Sequence, residues 1–217
     1  MPHPLYGLYE RRLLASLPRE RMPRHVGVIL DGNRRWARSI GLDPTTGHQR
    51  GADKISEVLG WCEEVGVEVV TLWMLSTDNL SRDASELVPL LEIIEEAVAK
   101  LAATRRWRLQ PMGSLDMLPE STTKVLKAAE AATADVRGLH VNVAVGYGGR
   151  HEIADAVRSY LREQADRGAS LEGLVDDFDV EHIAAHLYTK GQPDLDLVIR
   201  TSGEQRLGGF LLWQSAE

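Results

Sequence analysis

Apolar residues along this chain fall into two rhythms that alternate from one end to the other. Short runs with little polar interruption predict buried strands: HVGVIL at 25–30, VEVVTLWMLS at 67–76, LHVNVAVG at 139–146 and DLDLVIR at 194–200, with a weaker one in WRLQPMG at 107–113. Between them apolar residues recur every three or four positions. Ile55, Val58, Leu59, Cys62 and Val65 predict a helix over 47–66, with Gly66 as its stop. Leu87, Leu90, Leu91, Ile94, Val98 and Leu101 form the stripe of a second, over about 85–105. Further helices are expected over about 119–133, 150–167 and 180–187. Strands and helices alternate without a repeat, a low-complexity tract or a linker. That pattern predicts one α/β domain with a parallel sheet covered on both faces.

Ligands of such sheets bind at the carboxyl ends of the strands. The polar groups directly after strands are therefore the first candidates for chemistry: 31–35, 76–79, 146–150 and 200–204.

Composition narrows the picture in three ways. The 217 residues suffice for one substantial domain. A single cysteine, Cys62, excludes an intrachain disulfide and fits a reducing cytosol. A net charge of -7 argues against general nucleic-acid binding, yet Arg34, Arg35 and Arg38 cluster after the first strand, and Arg200 and Arg206 follow the last. The N-terminal 24 residues contain no apolar run long enough for a signal peptide or a membrane span. LYGLYERRLLASL predicts a short helical extension, docked on the domain or lying on lipid as a peripheral membrane contact.

Several motifs fail. No G-x-x-x-x-G-K-[ST] is present, and VGYGGR lacks the dinucleotide-binding spacing. His182 and His186 are four apart, but Ile183 stands where a zinc protease needs Glu. DDFD at 176–179 has no second copy and reads as a loop capping the helix at Val180. The stretch after the first strand holds better. Gly32 permits close backbone approach, Asn33 opens a short helix with free amides, and Arg34 and Arg35 add charge-assisted donors: a seat for a diphosphate. Asp31 repels phosphate unless it holds Mg²⁺ or takes a proton. IRTSGEQR supplies a second cationic cluster, which suggests two anionic groups bound side by side.

HVGVILDGNRRWA (25–37), GH (47–48), LSTDNLSRD (75–83), VNVAVGYGGRHEI (141–153) and DLVIRTSGEQRLGGFLLWQ (196–214) together resemble the cis-prenyltransferase, or undecaprenyl diphosphate synthase, family. The resemblance implies a six-stranded, mostly parallel sheet flanked by helices, a cytoplasmic homodimer, and Mg²⁺-dependent addition of isopentenyl diphosphate to an allylic diphosphate. Residues 25–217 would form the catalytic domain after an extension at 1–24. Asp31 matches the catalytic aspartate, which also contacts the metal, and Asn79 matches a residue assigned to proton removal. Gly32, Asn33, Arg34, Arg35, Trp36 and His48 match the allylic diphosphate site, with Ser76, Thr77, Asp78 and Arg82. Arg200, Arg206, Leu207 and Gly208 fall where isopentenyl diphosphate binds. Met74 and Leu75 match the product tunnel, where a bulky residue shortens the slot. That bulk, and the forms PLYGLYERRL, GYGGR and TSGEQR, resemble the short-chain actinobacterial branch, whose product is (2Z,6E)-farnesyl diphosphate formed from geranyl diphosphate. A longer decaprenyl or undecaprenyl product, and a non-catalytic partner subunit, are the alternatives.

Four positions depart from the family pattern. Pro44 and Gly208 stand where many members have a phosphate-binding arginine and serine, and Arg34 stands where many have glycine. The family usually continues past W-Q-x-A to a tyrosine and, two residues on, a metal-binding glutamate. Glu217 comes two positions too early to match it, and a final strand and helix are expected to be missing from this chain.

Overall fold

The computed structural model describes residues 4–41 and 43–216. In chain order the elements are α1 (Pro4–Ser16), β1 (His25–Ile29), α2 (Asn33–Ser39), α3 (Pro44–Val65), β2 (Val69–Ser76), α4 (Ala84–Thr104), β3 (Arg108–Met112), α5 (Glu120–Thr133), β4 (His140–Tyr147), α6 (Gly149–Asp166), α7 (Leu171–Asp177), α8 (Val180–Ala184) and β5 (Leu197–Arg200). Among the described residues no helix is long and apolar enough to cross a membrane.

One sheet, ordered β3-β4-β2-β1-β5, carries the fold, and every pair in it is parallel. The sheet has five strands where the resemblance implies six. Only five stretches combine an apolar run with bounding turn residues. Beyond β5 the next buried apolar residues, Phe210 and Leu211, lie in a knot of turns against the sheet rather than in a strand. The three interior strands, β4, β2 and β1, are buried along most of their length, as a doubly covered sheet requires. Helices α3, α4 and α5 close one side, where Ile55, Leu59, Leu90, Ile94, Val98, Leu101 and Leu126 pack on Val70, Leu72, Val141 and Val143.

Local chemistry explains the helix boundaries. Asp43 caps α3 by accepting the Thr46 N–H (3.0 Å), and Pro44 occupies the first helical position, where its missing amide costs nothing. That gives Pro44 a structural use at the position where the family often has arginine. Helix α7 escapes the hydrophobic pattern because its apolar residues Leu171 and Val175 stay exposed; Ser170 caps it through the Gly173 N–H. Asp176 and Asp177 therefore belong to α7, and of DDFD it is Asp179 that caps α8, accepting the Val180 N–H at 2.6 Å.

Order at the amino ends of the strands comes from a buried polar chain. His25 donates from Nδ1 to the Pro193 carbonyl (2.9 Å), which can only accept, so its Nε2 receives the Thr71 hydroxyl (2.8 Å). Asn142 then donates to Thr71 Oγ1 (2.9 Å) and to Gln192 Oε1 (2.6 Å).

Burial holds His25 and His48 below the ordinary histidine range and pushes His140 down to about 4. These rings are neutral in the fold but take up protons readily once unfolded, so stability falls as pH drops through the ordinary histidine range. From pH 7.5 to 5 His140, which is partly screened by solvent, is expected to cost on the order of 1 kcal/mol, read as a lower urea midpoint. His140→Gln should flatten that dependence; equal midpoints at the two pH values would contradict it.

Candidate active site

Parallel register brings three strand ends together. Ile29 of β1 lies opposite Trp73 of β2 on one side and opposite Arg200 of β5 on the other. Leaving β1, the chain makes a tight turn through Asp31 and Gly32 into α2. Gly32 has φ +88, and a Cβ there would come within 3.1 Å of Ser202 Cβ and 3.2 Å of its Cα. Glycine is thus required twice, for backbone conformation and for the contact between loops. Thr201 laces the same two loops: its Oγ1 accepts the Asp31 N–H (3.0 Å), and its hydroxyl donates to the Asp31 carbonyl (2.5 Å).

The Asp31 carboxylate sits at the centre. Oδ1 accepts the Gly32 N–H (2.7 Å), while Oδ2 accepts Nε (3.1 Å) and Nη2 (2.5 Å) of Arg200. Burial on its own would raise this carboxyl, but the bonds from Arg200, Ser202 and Gly32 outweigh it and hold the group below the usual carboxylate range. Glu204 ties the cations together, meeting Arg35 (2.8 Å), Arg200 (3.0 Å) and Arg206 (2.9 Å). Those arginines in turn hold Glu204 low.

A second knot faces the first. Glu86 receives Arg34 (2.8 Å) and Arg82 (2.7 Å), and Arg82 also donates to Asn79 Oδ1 (2.8 Å). Ser76 Oγ accepts the Asn79 N–H (3.2 Å), fixing the turn after β2. His48 reaches in from α3; its Nε2 is buried without a hydrogen-bond partner, and burial together with the charges of Arg82 and Arg34 keeps its pKa low. Helices α2 and α3 nearly touch here. A Cβ on Gly47 would overlap the Asn33 carbonyl oxygen, and one on Gly51 would lie 2.5 Å from Asn33 Nδ2.

Both knots open into one cleft of about 550 Å³. Its rim is Asp31, Gly32, Asn33, Arg34, Arg35, His48, Ser76, Asn79, Arg82, Arg200, Glu204, Arg206 and Gly208; its floor is apolar, with Ile55, Met74, Leu75, Leu90, Ile93 and Ile94. Thr77, Asp78 and Leu207, expected at the site from sequence, do not line it. Thr77 turns its hydroxyl toward Gly148, and Asp78 is exposed on the outer side of the turn. The side chain of Trp36 lies outside the described residues. Gly208 has φ +62, a conformation that accounts for glycine in place of serine. Sequence reading missed the roles of Glu86 and Glu204 as counter-ions. The i,i+4 spacing of Arg82 and Glu86, and the placement of Glu204 between Arg200 and Arg206, were the available signals. Among the described residues no group of three or more His, Cys, Asp or Glu side chains could hold a metal ion.

Residues 29–217 match the family described as putative undecaprenyl diphosphate synthase. The chain belongs to the cis-prenyltransferase family. It is 64% identical over 214 residues to a (2Z,6E)-farnesyl diphosphate synthase of Thermobifida fusca, covering 98% of this chain and 84% of that protein. A (2Z,6E)-farnesyl diphosphate synthase of Mycobacterium tuberculosis is 52% identical over 220 residues, covering 100% of this chain and 84% of that one. Among solved structures, lavandulyl diphosphate synthase from Lavandula x intermedia in complex with dimethylallyl diphosphate superposes with a TM-score of 0.79 at 33% identity, over 88% of this chain and 83% of that one. The parallel sheet and its strand-end cleft are thus those of a cis-prenyltransferase.

Gly32→Ala should destabilise this cis-prenyltransferase more than Gly191→Ala. Both glycines have left-handed backbones, but a Cβ at Gly191 meets nothing within 4 Å. The conformational penalty is about 1–2 kcal/mol at either site, so any excess at Gly32 reads the approach to Ser202. Equal shifts in urea midpoint would show that the approach carries no energy.

Proposed function

We propose that this cis-prenyltransferase condenses isopentenyl diphosphate with a short allylic diphosphate, preferably geranyl diphosphate, to give (2Z,6E)-farnesyl diphosphate and diphosphate. The observation that carries the reading is one cleft with two arginine clusters at its rim and an apolar floor bounded by Met74 and Leu75. Its volume of about 550 Å³ falls within the range of ordinary small-molecule sites, about 300–1,000 Å³. That suits a few prenyl units rather than a chain of ten or eleven. The names of the relatives from Thermobifida fusca and Mycobacterium tuberculosis support the same product.

In this reading the allylic diphosphate lies against Gly32, Asn33, Arg34, Arg35, His48 and Arg82, with its tail on the floor. The second diphosphate lies against Arg200, Arg206 and the backbone at Gly208. Breaking the allylic carbon–oxygen bond leaves charge on the departing diphosphate, where the guanidinium groups already stand. The allylic C1 bonds to the terminal alkene carbon of isopentenyl diphosphate, whose own diphosphate is retained, and the isopentenyl unit then loses a proton from C2. Asn79, fixed by Arg82 and Ser76, is the residue that the resemblance ties to this proton's removal, and the departing diphosphate beside it can accept the proton; Asp31, kept ionised by Arg200, is left to the metal.

Charge balance supports a metal. Arg34, Arg35, Arg82, Arg200 and Arg206 against Asp31, Glu86 and Glu204 leave about two positive charges, whereas two ionised diphosphates bring roughly six negative ones. A lone protein carboxylate suits Mg²⁺ shared with substrate phosphates, not an all-protein cage. Asp31 would hold Mg²⁺, which supplies neutralisation at the leaving diphosphate.

A cytoplasmic homodimer with α1 resting on a lipid surface completes the reading. It is supported by exposed apolar residues on α1 (Leu13, Leu14), on α7 (Leu171, Val175) and on the edge strand β5 (Leu197, Ile199).

The test is incubation with Mg²⁺, labelled isopentenyl diphosphate and dimethylallyl, geranyl or farnesyl diphosphate, with products resolved by length and double-bond geometry. A C15 product from geranyl diphosphate is expected, and products of ten units or more would overturn the reading. Asp31→Ala should lower kcat by at least about a hundredfold; activity within a few fold of wild type would remove Asp31 from the chemistry, and no product from the wild-type chain itself would indicate a non-catalytic partner subunit. Met74→Ala should lengthen the product, and an unchanged C15 product would remove Met74 as the floor.

A further inference from the structure

The GYGGRHEI stretch lines no part of the cleft, yet it contains the one fully buried carboxylate among the described residues. Glu152, in the first turn of α6, is 1% exposed. It accepts hydrogen bonds from three separate parts of the chain. Tyr147 at the end of β4 donates its hydroxyl to Oε2 (2.5 Å), the Tyr188 N–H donates to Oε1 (3.0 Å), and Gln214 Nε2 donates to both oxygens (3.2 and 3.3 Å). Gln214 spends its other N–H on Thr189 Oγ1 (2.7 Å), and its Oε1 is left buried and unpartnered. An amide turned the other way would set that oxygen against the carboxylate, so the arrangement is built around Glu152 as acceptor.

These bonds hold the segment that follows Arg206. The Gly149 N–H at the start of α6 donates to the Gly209 carbonyl (2.9 Å), and Leu195 N–H donates to the Gln214 carbonyl (3.2 Å). Between those two anchors Phe210 is fully buried, stacked on Trp73 at 5.2 Å with the rings 11° apart, and it meets Tyr147 edge-on at 6.3 Å. Trp73 is a wall of the cleft, and the Gly208 backbone lies over its ring: a Cβ on Gly208 would be 3.7 Å from it. Glu152 thus grips one end of a short path, Gln214 to Phe210 to Gly208 and Arg206, whose other end is the rim.

We propose that Glu152 is a positioning residue for the second diphosphate: through Gln214 and Tyr147 it fixes the 206–214 segment, and so sets the grip of Arg206 and Gly208 without touching substrate. The assignment of that diphosphate to Arg200 and Arg206 rests on the function proposed above.

Two measurements separate the proposals. Hydrogen exchange on the full chain without substrate reads the positioning alone. Glu152→Leu and Gln214→Leu should each raise exchange at 203–215 while the α3–α4–α5 side stays within error of wild type. Steady-state kinetics read the consequence. The KM for isopentenyl diphosphate should rise at least tenfold, with kcat and the allylic KM within threefold. Glu152→Gln should recover most of that loss, because its Oε1 still accepts and its new N–H can meet a flipped Gln214 oxygen. Unchanged exchange at 203–215, an equal rise in both KM values, or no recovery in Glu152→Gln would each overturn the positioning role. Should Glu152→Leu fail to fold, Gln214→Leu decides on the same readouts. Arg206→Ala with an unchanged KM for isopentenyl diphosphate would overturn the substrate assignment instead, while the exchange result would stand.

Discussion

Strand β5 lies parallel beside β1 with Arg200 opposite Ile29, and from that register the site follows. Arg200 reaches Asp31 with two nitrogens on one carboxylate oxygen, across 169 residues of sequence. The pair joins the loop after the first strand to the loop after the last, and Glu204 extends the junction to Arg35 and Arg206. A one-residue slip in β5 would turn Arg200 to the other face of the sheet and separate the two arginine clusters.

The cations of the cleft are not bare. Each knot has its own carboxylate, Glu204 in one and Glu86 in the other, and each carboxylate is shared by at least two arginines. This keeps several like charges within a few ångström of one another without substrate. It also sets guanidinium planes in place beforehand, so that the reorganisation on binding a diphosphate is small. His48 differs, since its buried Nε2 has no partner in the described residues and is a polar atom left over for a ligand.

Much of this is legible in the amino-acid sequence. The strands read from HVGVIL, VEVVTLWMLS and LHVNVAVG are buried strands, because largely apolar runs mark a sheet covered on both faces; DLDLVIR, expected to be buried, is a strand at the sheet edge with Leu197 and Ile199 exposed. The rim residues 31–35 and 200–206 were legible because polar groups directly after parallel strands must converge at one edge. What was not legible is contact between distant parts of the chain. No spacing reveals that Glu86 serves Arg34 across 52 residues, or that Gln214 reaches Glu152 across 62. Thr77 and Asp78 were placed at the site by the family resemblance, but of the residues at 76–79 only Ser76 and Asn79 line the cleft. Helix α7 was missed because its apolar residues find no partner and leave no stripe.

The cleft draws its rim and its floor from different elements. The rim comes from loops after β1, β2 and β5, tied by ion pairs and by the near contact of α2 with α3. Much of the floor comes from side chains of α4, above all Leu90, Ile93 and Ile94, with Met74 and Leu75 from β2. A substitution on α4 changes the depth available to a hydrocarbon tail while leaving every charged partner in place. Such a division makes tail length an evolvable trait: a lineage can drift from one product size to another through a few aliphatic exchanges, with head-group recognition inherited intact.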